Sequence, residues 1–362
     1  MVARSSKTSP TRIAIACQGG GSQTAFAAGA LKALVAGEAP GNYRIVGLSG
    51  TSGGAICAAL VWCALSLEKD RAAGRRRAAR MLDAFWHDNS AKLPSEWLWN
   101  RLTVTTRQLQ DSGLLPSLSA SPYQPAVEGA VHLARLFAPR PEFLDLRRLL
   151  ETHLPLEQVE QRRAGLQLLV GAVGVRSGAF KAFDSRAGEI DIDAILASAS
   201  LPWLGRATPI GDEIYWDGLF SQNPPLREFV ADLPAADKPN EIWIIRINPQ
   251  TRASEPKTSE DIHDRRNELA GNLSLNQEIR FIEQVNKWLG EKKLVNENKQ
   301  TIDILEIAMG EDVSGPLDYA SKLDRAPEYI ADLMRHGEAR AAEALATRSQ
   351  PSRNTSPTHP PR

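Results

Sequence analysis

Two glycine-rich turns near the start of the chain constrain its fold more than any other feature of the sequence. The first, residues 17–22, reads Cys-Gln-Gly-Gly-Gly-Ser and follows the apolar run 13–16. The second, residues 50–54, reads Gly-Thr-Ser-Gly-Gly and follows the apolar run 45–48. Each leads into a segment with helical character. Each therefore predicts a strand that gives way to a helix, the unit from which α/β folds are built.

The remainder of the chain continues this alternation, which predicts a mostly parallel sheet covered by helices. The candidate strands are nearly continuous apolar runs, as expected for strands buried on both faces. They span 12–16, 44–48, 166–175, 179–183, 213–216, 241–247 and 302–308. The candidate helices span 23–35, 54–66, 75–88, 126–136, 145–152, 192–199, 260–289 and 327–346. A chain of 362 residues can bury the large core that such an α/β fold requires.

The organisation of the chain is predicted from its composition. Residues 1–11 are polar and basic, and residues 347–362 are rich in Ser, Thr, Pro and Arg, so we expect two disordered tails. One α/β domain is expected over 12–346. Within it, the least regular stretch, 90–125, is predicted to be a lid or lateral insertion, and 258–346 a helical extension.

Composition also argues against several classes of function. The formal net charge is zero, so no basic field indicates nucleic acid as a partner. We expect neither a spanning helix nor a secretory signal, because no apolar run is long enough for the first or suitably placed for the second. The three cysteines, Cys17, Cys57 and Cys63, fit buried thiols in a reducing compartment better than disulfides or a metal cluster. We therefore expect a cytoplasmic protein, or one bound peripherally to a membrane, without metal or cofactor.

The second glycine turn has the Gly-x-Ser-x-Gly pattern of a nucleophile elbow. In such an elbow the serine takes a strained conformation between strand and helix, and small neighbours leave room for it. Ser52 is the candidate nucleophile, and Gly50, Gly53 and Gly54 are the glycines of the elbow. A plain turn with a bystander serine has the same pattern, so the motif alone does not establish catalysis.

The first glycine turn fits neither common nucleotide-binding motif. A phosphate loop needs a lysine after its last glycine, and a dinucleotide fingerprint starting at Gly19 needs glycine where this chain has Thr24. The backbone N–H groups of Gly19, Gly20 and Gly21 remain a candidate oxyanion hole. The alternative is a tight turn into a packed helix.

A serine nucleophile needs a base, and Asp217 is the strongest candidate. It follows a strand-like run and precedes Gly218, although Asp-Gly pairs are also common in ordinary turns. None of the six histidines lies in a comparable motif. We therefore favour a Ser52–Asp217 dyad, in which burial beside Trp216 must raise the pKa of Asp217 from about 3.9.

Together these motifs resemble those of the patatin-like phospholipases. The resemblance rests on the two glycine turns, on the segment 197–202 with the sequence Ala-Ser-Ala-Ser-Leu-Pro, and on the late Asp-Gly pair. It covers about residues 12–225 and implies a three-layer α/β/α fold. It further implies a lipid acyl hydrolase of the phospholipase A or lysophospholipase type. In that reading Ser52 is the nucleophile, Asp217 is the base, and the glycines of the first turn line the oxyanion hole.

The first turn departs from the family's pattern at two positions. That pattern usually continues with a basic residue and a fourth glycine, whereas this chain has Gln23 and Thr24. If the cation assists the oxyanion hole or binds a phosphate head group, this chain would be slower or would prefer other esters.

Three other functions remain open. A regular α/β-hydrolase esterase would use Asp217 with His263, but its elbow normally follows several strands rather than the second one. An acyltransferase would use the same nucleophile. A catalytically impaired scaffold that binds lipid or protein would also account for the altered glycine turn.

Two further features bear on contact with lipid. Trp97, Leu98 and Trp99 could lie at a lipid interface, and the arginines at 75–77 could meet anionic head groups. A core-packed tryptophan pair and a solvated helix face are the more common roles of such residues.

Overall fold

The structure is a computed structural model of the chain. It describes residues 9–38, 42–116, 121–161, 165–202, 204–231, 233–252, 255–294, 298–314 and 317–348. Most of both predicted tails lies outside these residues. Within them, the first strand already begins at Thr11 and the last helix continues to Arg348.

An eight-stranded sheet forms the centre of the fold. Its strands are β1 (Thr11–Cys17), β2 (Tyr43–Thr51), β3 (Gln167–Gly174), β4 (Phe180–Asp184), β5 (Thr208–Ile210), β6 (Glu213–Asp217), β7 (Glu241–Arg246) and β8 (Asp303–Ala308). The order is β5-β6-β3-β2-β1-β7-β8, with β4 paired to β3. The neighbouring strands β3, β2, β1, β7 and β8 pair in parallel. The pairs β3–β4, β3–β6 and β5–β6 are antiparallel. The prediction of a mostly parallel sheet is confirmed.

Eleven α-helices accompany the sheet in the described residues. They are α1 (Ala25–Gly37), α2 (Gly53–Leu67), α3 (Arg71–Asn89), α4 (Pro94–Asp111), α5 (Pro125–Phe137), α6 (Pro141–Leu144), α7 (Leu146–His153), α8 (Ile192–Ser198), α9 (Ser259–Gly290), α10 (Glu311–Ser314) and α11 (Pro327–Arg348). Every predicted strand and helix is present, with ends that differ by at most four residues. Only short elements and α4 were missed.

The two faces of the sheet bury separate hydrophobic clusters, which confirms the three-layer α/β/α architecture. Ile13 and Ile15 of β1 face the larger cluster, which includes side chains of α1, α2, α3, α7, α8 and α11. Ala14 and Ala16 face the smaller cluster, which includes side chains of α9. This alternation follows from the two-residue period of a strand. All three cysteines are buried and free, as predicted.

The stretch 90–125 is more regular than predicted, because α4 occupies eighteen of its residues. Pro94 and Ser95, read as loop signals, lie instead at the start of this helix. Pro94 is in the first turn, where its missing N–H costs nothing. The Glu96 carboxylate accepts hydrogen bonds from the backbone N–H groups of Lys92 and Leu93. The expectation of an irregular stretch was wrong for this reason, and 117–120 lie outside the described residues.

The predicted helical extension, 258–346, belongs to the same core. It contributes β8, which pairs with β7, and α11, which packs on α1. The backbones of these two helices touch at two glycines. A Cβ atom at Gly29 would lie 1.8 Å from the carbonyl oxygen of Met334, and one at Gly337 would lie 2.0 Å from that of Phe26. No helix among the described residues is both long and apolar enough to cross a membrane.

The contact between α1 and α11 predicts an unusual response to alanine. Gly337→Ala should lower the free energy of unfolding by about 1–3 kcal/mol or more, because overpacking outweighs the roughly 1 kcal/mol that alanine gains over glycine in a helix. Urea unfolding followed by circular dichroism measures the change. The matched control is Gly129→Ala in α5, where an added Cβ meets nothing within 4 Å. Equal effects of the two substitutions would contradict the close helix contact.

Candidate active site

Ser52 lies at the sharp turn from β2 into α2. Its backbone has φ 56° and ψ −132°, in a region that residues other than glycine rarely adopt. Glycine neighbours make this turn possible. A Cβ at Gly50 would lie 2.4 Å from the carbonyl oxygen of Gly54, and one at Gly54 would lie 2.3 Å from that of Cys17. The local geometry is therefore that of an elbow that presents a serine between strand and helix.

The structure brings Asp217 to Ser52, although 165 positions separate them in the sequence. Asp217 ends β6 and is fully buried, while the adjacent Trp216 is half-buried. Burial raises the pKa of Asp217 to about 7, against the opposing effects of the Leu219 N–H and the Ser52 hydroxyl. The carboxylate oxygen Oδ1 accepts the Leu219 N–H at 2.9 Å. Oδ2 has no hydrogen-bond partner among the described residues, and the interaction of this carboxyl with Ser52 is looser than a formed hydrogen bond.

The segment 197–202 positions both residues. The Ser52 backbone N–H donates to the Ser198 hydroxyl at 2.9 Å. The Asp217 backbone N–H donates to the Ser200 carbonyl at 3.0 Å. Two serines of one short segment thus fix the separation of the candidate nucleophile and base.

The three glycines of the first turn line a cavity together with Ser52, but their N–H groups differ. The Gly19 N–H donates to Asn223 Oδ1 at 2.7 Å. Among the described residues, the N–H groups of Gly20 and Gly21 have no acceptor. The Gly19 N–H is therefore already bonded, and the expectation that all three glycines supply donors to an oxyanion stays a prediction. Gly19 lies against the candidate nucleophile, because a Cβ there would come 2.6 Å from the Ser52 Cβ.

Buried amide side chains hold this turn in place, and none of them was predicted from the sequence. Asn223 and Asn248 donate to the Gly19 carbonyl at 3.4 Å and 3.2 Å. Gln18 donates to Asn272 at 3.0 Å and accepts the backbone N–H of Asn248 at 3.0 Å. We call Gln18, Asn223, Asn248 and Asn272 the amide clamp. Because its members are distributed from residue 18 to residue 272, no local motif could have identified it.

The two departures from the family pattern have structural partners. Thr24 packs against Gly53, where a Cβ would lie 2.6 Å from the Thr24 Oγ1. Gln23 Nε2 donates to the Ser321 hydroxyl at 2.9 Å. Ser321 belongs to residues 317–326, the cover segment, which connects α10 to α11 across the cavity. The amide at position 23 therefore binds the cover segment to the glycine turn.

A cation reaches the cavity from the cover segment rather than from the glycine turn. Lys322 lines the cavity with Ser52, and its Nζ lies 2.5 Å from Asp264 and 3.2 Å from Glu268. Arg252 pairs with the same two carboxylates. Arg265 also pairs with Glu268, so three cations share two carboxylates at this wall.

Ser52 lies between two adjoining cavities. The smaller, about 100 Å³, includes the polar side chains of Asn223, Asn248, Asn267, Tyr319 and Lys322. The larger, about 310 Å³, is mainly apolar and is lined in part by Ile56, Phe85, Trp86, Phe143, Leu146 and Leu149. Leu201, Leu204 and Leu323 line both. Apolar side chains line both cavities, so either could hold an apolar chain, and the smaller one also offers amide groups close to Ser52.

The described part of the chain places no histidine on the lining of these two cavities. His263 is an exposed residue of α9, and His359 lies outside the described residues. No group of histidine, cysteine and acidic residues in the described ranges is arranged to hold a metal ion.

Comparison with known proteins identifies the family. Residues 15–230 match the model of a family described as patatin-like phospholipase. The match covers more than half of the chain and includes both Ser52 and Asp217. The chain therefore belongs to the patatin-like phospholipase family. None of the curated proteins compared with the chain matches it.

Three solved structures are similar to this chain. VipD from Legionella pneumophila is 14% identical, with 94% of this chain and 67% of that chain covered and a TM-score of 0.40. The type III effector protein ExoU is 16% identical, with coverages of 94% and 53% and a TM-score of 0.33. The complex of SpcU with ExoU from the type III secretion system of Pseudomonas aeruginosa is 16% identical. It has 95% of this chain and 54% of that chain covered, and its TM-score is 0.34. The chain thus spans about half the length of the last two.

The raised pKa of Asp217 predicts that the site costs stability at neutral pH. The folded state retains the Asp217 proton up to about pH 7, whereas the unfolded chain loses it near pH 3.9. This group therefore lowers the free energy of unfolding as pH rises through that window. Asp217→Asn should be more stable than the parent, and the difference should grow by about 2–3 kcal/mol between pH 5 and pH 8.

Urea unfolding at the two pH values measures this difference. Asp212→Asn, which removes an exposed carboxylate five residues earlier, serves as the control for the loss of one charge. A stability difference between Asp217→Asn and the parent that does not change with pH would show that Asp217 is already ionised at pH 5.

Proposed function

We propose that this protein hydrolyses carboxylic ester bonds of lipids, as a phospholipase A or lysophospholipase, with Ser52 as nucleophile and Asp217 as base. One observation carries the proposal. A serine in a strained strand-to-helix turn faces a buried carboxylate whose pKa burial raises to about 7. Membership of the patatin-like phospholipase family supports a lipid ester as the substrate class.

The first half-reaction forms an acyl-enzyme. Ser52 Oγ attacks the ester carbonyl while Asp217 accepts the hydroxyl proton. The tetrahedral intermediate collapses, the ester C–O bond breaks, and Asp217 returns the proton to the departing alkoxide. A base with a pKa near the working pH is half ionised there and still basic enough to take the proton. Burial supplies this property, so the dyad needs no histidine.

The second half-reaction releases the acid. Water attacks the acyl carbonyl and loses a proton to Asp217. The C–O bond to Ser52 Oγ then breaks as Asp217 protonates the serine, and a free fatty acid leaves. Both half-reactions pass through an oxyanion. We assign its stabilisation to the N–H groups of Gly20 and Gly21, since each such donor is typically worth about 2.7–4 kcal/mol.

The amide clamp supports this assignment. An oxyanion hole works because its donors are held in place before the charge develops. Asn223 engages both the N–H and the carbonyl of Gly19, which immediately precedes the two free donors. We infer that the clamp orients the donors, and that Gly19 contributes to the oxyanion hole through its position rather than through its N–H.

The cavities support an assignment of substrate groups. We propose that the larger cavity takes an acyl chain and that the smaller one, which Asn267 and Tyr319 line, takes the remainder of the lipid. Long-chain lipid esters are presented at membrane or micelle surfaces, so we propose a peripheral enzyme. Its buried free cysteines are compatible with the reducing conditions of the cytoplasm.

The alternatives have less support from the site. A Ser–His–Asp esterase would need a histidine at the cavity, and His263 is an exposed residue outside its lining. An acyltransferase would share the acyl-enzyme and differ in the acceptor. An impaired scaffold gains some support from the glycine turn, because one of its three N–H groups is already bound.

Substitution of the nucleophile tests the proposal. Ser52→Ala should lower turnover of a fluorogenic acyl ester by about 10⁴-fold or more, because no covalent intermediate can form. A fluorophosphonate probe should label the parent and not the variant. His263→Ala is the matched control and should keep full activity. Parental turnover by Ser52→Ala would refute the assignment, and loss of activity in His263→Ala would favour a triad.

The pH dependence of the reaction tests the base. Because only the ionised carboxylate accepts a proton, kcat/KM should fall about tenfold per pH unit below pH 7. Glu278 provides a control. Burial and the nearby Glu228 charge raise its pKa to about 7, yet it does not line either cavity. Glu278→Gln should leave the profile unchanged, and a flat profile between pH 5 and 8 in the parent would exclude Asp217 as the base.

A further inference from the structure

Helix α4 exposes an unusual number of large apolar side chains. Trp97, Leu98, Trp99 and Leu102 are 50%, 54%, 58% and 55% exposed. Single exposed apolar residues are ordinary, but four within six positions of one helix form a patch, and patches indicate binding surfaces. Trp97 and Trp99 are therefore not packed in the core, which was the more common role considered from the sequence.

Helix α5 adds a second apolar surface. Val127, Ala130, Val131 and Ala134 recur with the spacing of one helix face. Yet none of the α5 side chains that the structure describes is buried, and Val131 and Leu133 are 44% and 56% exposed. An amphipathic helix that leaves its apolar side uncovered is typical of helices that lie in a membrane interface.

These surfaces are continuous with the mouth of the active site. A groove between α4 and α5 is lined by Trp99, Ala134, Phe143 and Leu144. Phe143 and Leu144 also line the larger cavity beside Ser52. On the other side of that cavity, Leu204 is 54% exposed.

We call the exposed apolar side chains around this mouth the apolar rim. The loop after α8 contributes Leu204 to it. The backbone N–H of Ala207, in the same loop as Leu204, donates to the Tyr123 hydroxyl just before α5. The members of the apolar rim are Trp97, Leu98, Trp99, Leu102, Val131, Leu133 and Leu204.

The charges near the rim fit a lipid surface. Arg101 is exposed, lies over the Trp97 ring at 5.6 Å, and has no ion-pair partner among the described residues. A cation next to an interfacial tryptophan can reach the phosphates of lipid head groups. The arginines considered from the sequence are less suitable, because Arg75 pairs with Glu38 and Arg77 pairs with Glu68.

We propose that the apolar rim docks on a lipid surface, with the tryptophans of α4 and the apolar side of α5 entering the interface. A lipid could then pass from that surface into the cavity beside Ser52 without crossing water. This inference rests on the proposed function and assigns to it the face of the molecule that meets the substrate.

Vesicle binding without turnover tests the rim directly. The Ser52→Ala protein is sedimented with vesicles of phosphatidylcholine, alone or mixed with phosphatidylglycerol. Adding Trp97→Ser and Trp99→Ser should lower the affinity for vesicles by about tenfold or more, since each lost side chain removes apolar area from the interface. The matched control carries Phe281→Ser and Trp288→Ser, two exposed aromatic residues of α9 that line neither cavity beside Ser52. It should bind as the Ser52→Ala protein does.

Activity then separates docking from catalysis. With Ser52 intact, the rim variant should hydrolyse vesicle lipid less well relative to a soluble short-chain ester, so the ratio of the two rates falls about tenfold.

Equal vesicle binding by the rim and control variants would overturn the proposal. So would a parallel loss of both activities, which would place the tryptophans in the cleft. Rim-dependent self-association in sedimentation velocity, without an effect on vesicle binding, would instead make this face a contact between two copies. If the parent binds vesicles through the rim but hydrolyses no ester, the docking surface stands and the proposed function fails.

Discussion

The site depends on the direct contact of two backbone turns at the carboxyl edge of the parallel sheet. Strands β1 and β2 pair in parallel, so the turns that follow them are forced to be neighbours. They meet without space for side chains, because a Cβ at Gly54 would lie 2.3 Å from the Cys17 carbonyl and one at Gly19 would lie 2.6 Å from the Ser52 Cβ. A larger residue at either position would push the candidate nucleophile away from the candidate oxyanion donors. The sheet therefore determines the spacing on which the proposed chemistry depends.

This contact brings together groups that destabilise the fold. Ser52 has a strained backbone. Within the described part of the chain, the buried carboxyl of Asp217 has no cation beside it, and two glycine N–H groups have no acceptor. An ordinary turn or an apolar residue would remove each of these unfavourable features. Because all three occur together, other interactions must supply the stability that they cost. Compensation comes from the hydrogen bonds of the amide clamp, from the two serines that hold Ser52 and Asp217, and from a helix-covered sheet buried on both faces. Active sites commonly lower the stability of the fold in this way, because activity needs strained or unpaired groups.

Features of the fold and site that arise from neighbouring residues could be predicted from the sequence, whereas contacts between distant residues could not. The elbow around Ser52 and the long strands and helices were predictable, because apolar periodicity and glycine spacing act over a few residues. Helix α4 was missed because proline and serine serve equally in loops and at helix starts. The amide clamp was not predictable, since Asn223 and Asn272 become neighbours of the first glycine turn only through the fold. For the same reason, the sequence could not indicate that Asn223 binds the Gly19 N–H.

Much of the surroundings of Ser52 comes from residues beyond the family match, which ends at 230. Asn248 and Asn272 complete the clamp, and Tyr319, Lys322 and Leu323 of the cover segment line the cavity. Gln23, at the position where the family pattern has a basic residue, binds Ser321 of that segment instead. The cover segment also accepts a hydrogen bond from Asn100 of α4 at 2.8 Å, through Asp324. One short segment therefore connects the glycine turn to the helix that carries the apolar rim, and the altered turn is part of that connection rather than a simple loss of a family feature.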